Sequence, residues 1–226
     1  MEFNITKSHQ FPQSDRVEEI IKWFDLQDGQ VKEQFIGSLE LPESWNIGLI
    51  IGGSGTGKTT ITKDLFGDYY PTPHSWGSSS VIDDFPKDKT LEEITTALLS
   101  VGFSSPPSWC KPYEVLSMGE KMRVELALHL LQDKDIIVFD EFTSVVDRIT
   151  AKYGCELFSK KLRKMDKKFV GVSCHDDVVE YMNPDWVFNT DTMEFYIPEK
   201  KKSNTQLKSI QQKIKEFGTF FLNTTI

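Results

Sequence analysis

The stretch Asn46-Ile-Gly-Leu-Ile-Ile-Gly-Gly-Ser-Gly-Thr-Gly-Lys-Thr59 decides the fold. Its first half is a short, unbroken apolar run, the pattern of a strand buried on both faces. Its second half matches G-x4-G-K-[ST] in full, through Gly52, Gly57, Lys58 and Thr59. Glycines at 52, 53, 55 and 57 let backbone N–H groups turn inward and surround phosphate oxygens at the start of a helix. Lys58 brings a positive charge to the terminal phosphates, and the Thr59 hydroxyl suits a divalent cation. The residues expected to touch a nucleotide are therefore Gly52, Gly53, Ser54, Gly55, Thr56, Gly57, Lys58, Thr59 and Thr60. A helix through TTITKDLFG, stopped by Gly67, completes the context this loop needs.

Working outward, Asp135-Ile-Ile-Val-Phe-Asp140-Glu141 reads as a second buried strand ending in two acids. Asp140 stands where a carboxylate holds Mg²⁺, directly or through water, and Glu141 where one polarises the attacking water as general base. Leu116-Ser-Met-Gly-Glu120 opens a helix over 117–132; Ser117 and Gly119 suit either a plain N-cap or a helix start aimed at a phosphate. Ser144-Val-Val-Asp147 follows, and His175 comes directly after a buried strand over 168–173.

The remaining periodicities predict helices over 15–26, 90–101 and 150–165, the second opened by Thr90 and Glu93 at capping-box spacing. They also predict an antiparallel edge strand over 34–41 and a closing hairpin from 186–188 and 194–197. Apolar strands alternating with helices imply an α/β fold with a largely parallel sheet, its ligand site at the carboxyl ends of the strands.

The order phosphate loop, LSMGE, IIVFDE, SVVD and His175 resembles an ABC-type ATPase domain of the P-loop class over residues 20–197. LSMGE is similar to that family's LSGGQ signature, with Met118 and Glu120 as departures. The strings VGFSSPPSWCKPYEVLSMGE (101–120), DEFTSVVDR (140–148) and VSCHDDVVEYMNPDWVF (172–188) look like a narrower group of soluble ABC-type ATPases. That group is often fused to a predicted GNAT-like acetyltransferase domain, a role not expected of the short stretch after 198. The resemblance implies a mostly parallel core sheet with an antiparallel edge subdomain and a short helical subdomain. It implies ATP as substrate, Mg²⁺ as cofactor, and two copies packed head to tail. Ser117, Met118, Gly119 and Glu120 of one copy would then face the other's γ-phosphate, Asp147 would join the copies, and His175 would orient the water.

Two family positions lack a plain match. For the residue that senses the metal, the corresponding segment Ser80–Phe85 offers Asp83 or Asp84, which read equally as solvated turn acids. For the aromatic that stacks on adenine, Phe24 is the candidate, with a core role as its alternative and Trp23 and Phe35 as other choices.

With 226 residues, 38% hydrophobic and 27% charged, the chain has the composition of a globular protein, expected as one domain over 1–198 and a basic tail over 199–226. In the tail, Leu207, Ile210 and Ile214 have helical spacing. It would pack back on the domain or, less expectedly, meet a partner or nucleic acid. The net charge of −8 speaks against non-specific adhesion to nucleic acid or anionic membrane. No run approaches the ~20 apolar residues of a membrane-spanning helix, and the first residues lack a secretory pattern, so a cytoplasmic location is expected. Cys110, Cys155 and Cys174 have no metal-ligand spacing and read as buried free thiols. The expected function is a stand-alone ATP-driven dimer switch acting on a protein or nucleic-acid partner. Its alternatives are the nucleotide-binding subunit of a transporter and a non-hydrolysing clamp.

Overall fold

The computed structural model of the chain describes residues 1–26, 30–72, 74–77 and 79–199. The apolar run before the phosphate loop is β3 (Ile47–Ile51), buried along its whole length. It lies at the centre of a five-stranded sheet with β4 (Ile136–Phe139), β5 (Lys168–Ser173), β6 (Trp186–Asn189) and β7 (Glu194–Tyr196), in the order β4-β5-β3-β6-β7. The first four positions of that order are parallel, and β7 returns antiparallel to β6.

The two-residue period of a strand divides the core into two layers. Ile47, Leu49 and Ile51 face one way and join Ile137, Phe139 and Phe169 beneath α4 (Leu91–Ser100), α6 (Met118–Leu131), α7 (Arg148–Leu162) and α8 (Asp177–Met182). Ile50 faces the other way and meets Val138, Val170, Val172, Trp186 and Phe188 against Ile61 and Phe66 of α2 (Lys58–Phe66). Each fully buried aliphatic or aromatic side chain contributes about 1.5–3 kcal/mol of transfer free energy, so both layers are needed. The sheet therefore carries α2 on one face and the long helices on the other.

Phe3 and Phe35 complete the second layer from a separate two-stranded antiparallel sheet of β1 (Glu2–Gln10) and β2 (Gln30–Ser38). Between these strands stands α1 (Asp15–Phe24), capped by Ser14 and burying none of its residues. The expected edge strand over 34–41 is β2, which begins and ends earlier. Its partner β1 escapes a reading of the sequence because only Phe3 of its nine residues is buried, leaving no alternation to detect.

Two single-turn helices, α3 (Val81–Asp84) and α5 (Pro106–Trp109), complete the helical elements on the α4 side. The capping box of α4 forms as expected, with Thr90 and Glu93 bonded reciprocally. The cysteines correct one expectation: all three are free thiols, but only Cys155 is buried, Cys174 is half-buried and Cys110 is exposed. Among the described residues no helix is long and apolar enough to cross a membrane. The basic stretch from Lys200 onward, with Leu207, Ile210 and Ile214, lies outside the described residues.

Candidate functional site

The phosphate loop leaves β3 through Gly52 and enters α2 through Gly57, with φ of 148° and 88°. A side chain at either position fails twice, because those angles favour glycine and because a Cβ would strike the Thr190 hydroxyl or the Phe35 ring. No side chain caps the first turn of α2, and no acidic residue stands in it, so its N–H groups remain available to an anion. Lys58 is 8% exposed and curls over its own loop, Nζ donating to the Gly53 carbonyl at 2.5 Å.

A clamp from the far end of the chain holds this loop in shape. Thr190, just after β6, donates its N–H and hydroxyl to the Ile51 carbonyl at 2.8 and 3.1 Å. Its hydroxyl also meets Thr56 Oγ1 at 2.5 Å. Asp191 accepts the Gly53 N–H with both carboxylate oxygens, at 3.1 and 3.0 Å.

Two strands away, β4 delivers Asp140 and Glu141 to the same edge of the sheet. Asp140 accepts the Glu141 N–H at 2.9 Å and the Tyr70 hydroxyl at 3.3 Å. Burial, with the Asp140 charge beside it, pushes the Tyr70 phenol above its usual range, so it remains a donor. Glu141 and Thr143 both have left-handed backbones, with φ of 54° and 66°, a conformation that side-chain-bearing residues keep only when neighbours enforce it. The Phe142 N–H between them donates to the Val172 carbonyl at 2.7 Å, and the Phe142 ring is buried. The Ser144 hydroxyl donates to Glu141 Oε2 at 2.7 Å and lies 3.7 Å from Cys174 Sγ.

His175 follows β5, its N–H donating to Ser173 Oγ at 3.1 Å. Arg148 ties this segment to the loop after Glu141. Its guanidinium grips the Asp177 carboxylate through both Nε, at 2.9 Å, and Nη2, and reaches Thr143 O and Oγ1 at 3.4 Å. The Arg148 bonds hold the Asp177 carboxyl below the usual carboxylate range.

Ser117–Glu120 lies elsewhere, at the start of α6. Ser117 caps the helix, and Glu120 reaches back to accept its N–H and hydroxyl at 3.0 and 2.9 Å, closing a capping box. Those bonds, the backbone one foremost, keep the Glu120 carboxyl below its usual range. The turn borders the other segment expected at a dimer contact: a Cβ on Gly119 would sit 3.0 Å from Val146. Asp147 caps α7 by accepting the Thr150 N–H at 2.9 Å. Met118, Val145 and Ile149 leave this shared surface apolar and exposed.

The structure thus gathers the phosphate loop, Asp140, Glu141 and His175 at the carboxyl ends of three adjacent strands, and groups Ser117–Glu120 with Asp147 on a second surface. Phe24 is 68% exposed, which overturns the core alternative for it, and Trp23 is 72% exposed. Phe35 is buried against Gly57 and is not free to stack on a base. Asp83 accepts the Ser80 hydroxyl at 2.5 Å and Asp84 the Gly77 N–H at 2.8 Å, so both acids serve their own segment here. Among the described residues no three His, Cys, Asp or Glu side chains converge as a metal site. The Thr59 hydroxyl and Asp140 carboxylate are hard oxygen donors, a set that fits Mg²⁺ carried largely by phosphates and water rather than a protein cage.

No family model matches the chain. It is 28% identical over 118 residues to the ribosome protection protein VmlR of Bacillus subtilis, covering 43% of this chain and 21% of that one. It is 29% identical over 154 residues to an uncharacterized ABC transporter ATP-binding protein of Haemophilus influenzae, covering 54% and 62%. The chain therefore spans less than two thirds of the length of these curated relatives. Among solved structures, a dimeric post-hydrolysis state of the ATP-binding cassette MJ0796 bound to ADP and Pi matches with a TM-score of 0.57 at 15% identity, covering 83% of this chain and 92% of that one. The chain is thus similar to ABC-type ATP-binding proteins in part of its sequence and to an ATP-binding cassette in its fold.

Several residues of this site carry no sequence signal. Thr190 and Asp191 are separated from the loop they clamp by well over a hundred residues, and Asp191 looks like any turn acid. Tyr70 lies in an irregular segment after α2. Ser144 was legible only as part of SVVD, although its hydroxyl holds Glu141.

Proposed function

We propose that this ABC-type domain, over residues 1–198, binds and hydrolyses ATP and acts on a partner as an ATP-driven, head-to-tail homodimer. The observation that carries the reading is the placement of Lys58, Asp140, Glu141 and His175 at one sheet edge, with Ser117–Glu120 and Asp147 on a separate exposed surface. One surface holds a nucleotide and the other has the groups to close over a second copy's nucleotide.

In this mechanism Lys58 leaves the Gly53 carbonyl for the terminal phosphates, and the first-turn N–H groups of α2 receive the remaining charge. Mg²⁺ arriving with the nucleotide would be held by Thr59 and Asp140, with Asp83 as a further candidate, and supplies charge neutralisation on the phosphates. Glu141, its carboxylate fixed by Ser144, accepts the proton of the attacking water. His175 donates to the γ-phosphate and aligns that water. Phe24, exposed at the end of α1 and upstream of the phosphate loop, stacks on the adenine. Ser117 and Gly119 of the second copy meet the γ-phosphate, Met118 packs beside them, and Asp147 joins the copies.

The test is the Glu141→Gln variant in saturating Mg-ATP, with light scattering and phosphate release measured together. An ATP-dependent dimer with hydrolysis abolished is the expected result. A variant that stays monomeric defeats the head-to-tail reading, and wild-type protein releasing no phosphate defeats the enzymatic one.

A further inference from the structure

We propose that Lys7 of β1 belongs to the nucleotide site and supplies a second ammonium group for an inner phosphate of the bound nucleotide; the inference rests on reading Gly52–Thr59 as the phosphate loop. In the β1–β2 register Lys7 stands opposite Glu33, and opposite charges on directly paired residues ordinarily turn toward each other. The Lys7 ammonium instead donates to Thr60 Oγ1 at 2.5 Å. Among the described residues the ion pairs are Lys89–Asp88, Arg148–Asp177 and Arg163–Asp185, so Lys7 has no carboxylate partner.

Its position is unfavourable on its own terms. Thr60 is the third residue of α2, whose N-terminal turn contains no acid and already carries Lys58. A cation at the positive end of a helix dipole, beside a second cation, is destabilised unless an anion sits among them. The acid that does touch the loop, Asp191, bonds Gly53 at its opposite end. The arrangement makes physical sense around a polyphosphate. Lys58 is engaged by the terminal phosphates, so a phosphate near Thr60, further along the helix, is the α or β one.

Lys7 also explains what the two-stranded antiparallel sheet contributes. Phe35 packs behind Gly57 and anchors β2 to the loop, and β1 then lies beside α2 with Lys7 at its first turn. This small sheet is in this way a wall of the binding site.

The test compares wild type, Lys7→Met and Lys7→Arg of the full chain in calorimetric titrations with Mg-ATP and Mg-ADP. Lys7 is exposed, and circular dichroism with thermal melting checks that both variants keep the wild-type fold. Lys7→Met is expected to weaken ATP and ADP by the same factor, roughly five- to tenfold, and to flatten the salt dependence of binding, with Lys7→Arg close to wild type. Unchanged affinity in Lys7→Met overturns the proposal, and so does a loss confined to ATP, which would move the contact to the γ-phosphate. If wild type binds no nucleotide, or Lys58→Ala binds as tightly as wild type, the phosphate-loop reading itself fails, an outcome distinct from a silent Lys7.

Discussion

The phosphate loop and the Ser117–Glu120 turn both stand at helix N-termini, yet they are built in opposite ways. The loop is held open from outside. Phe35 backs Gly57, Thr190 bonds Ile51 and Thr56, Asp191 bonds Gly53, and no side chain caps the first turn of α2. The turn is closed from within, the Ser117 N–H and hydroxyl taken by the Glu120 carboxylate in a capping box. A helix start braced by distant residues is ready for an anion, because its N–H groups have been spared. A helix start capped by its own third residue must first exchange a local carboxylate for a phosphate. We therefore expect the first surface to bind nucleotide alone and the second to engage only when another copy brings a γ-phosphate to it.

Glu141→Gln should have the largest effect, because it removes the proposed base and leaves both helix starts intact. Phosphate release is expected to fall by roughly a hundredfold to ten-thousandfold, the range for general-base catalysis, with ATP affinity retained. Loss of affinity together with rate would show that Glu141 shapes the loop as well. Lys58→Ala comes next, expected to weaken ATP binding by roughly a hundredfold in equilibrium titration, as for removal of a buried charged partner. Tight binding in that variant would break the contrast at its root.

Asp191→Ala tests whether the loop's readiness comes from the clamp. Affinity for ATP is expected to drop about tenfold, the cost of losing charge-assisted hydrogen bonds at a partly exposed site. Glu120→Gln should have the smallest effect and the opposite sign. Glutamine keeps the capping box while removing the charge, so ATP-dependent dimerisation in the Glu141→Gln background should strengthen about threefold by sedimentation. Weaker dimerisation would mean that the carboxylate itself belongs to the contact.

Much of this site was legible because its chemistry is written in contiguous residues. Gly52 to Thr59, Asp140 with Glu141, and Ser117 with Glu120 are each a local pattern whose backbone consequence is local. The strand–loop–helix order followed from them, and so did a mostly parallel sheet. Phe24 and Phe35 show where that legibility stops. Both are aromatic and upstream of the loop, and nothing in their neighbourhood told that one is exposed on α1 and the other locked behind Gly57. The acids of Ser80–Phe85 show the same limit, since only the folded chain reveals that Asp83 and Asp84 bond to Ser80 and Gly77.

By itself, then, the sequence determined the fold class, the phosphate loop and the acids at the end of β4, since glycine spacing and apolar runs act over a few residues. Tertiary structure decided the partners: Lys7, from a strand with one buried residue, and Thr190 and Asp191, after β6, beside the loop, and further off Ser144 against Glu141 and Arg148 against Asp177. The physical reason is one of range. A hydrogen bond needs atoms within about 3 Å in space but sets no limit on their separation along the chain, so such partners leave no pattern to read until the sheet and its covering layers bring them together.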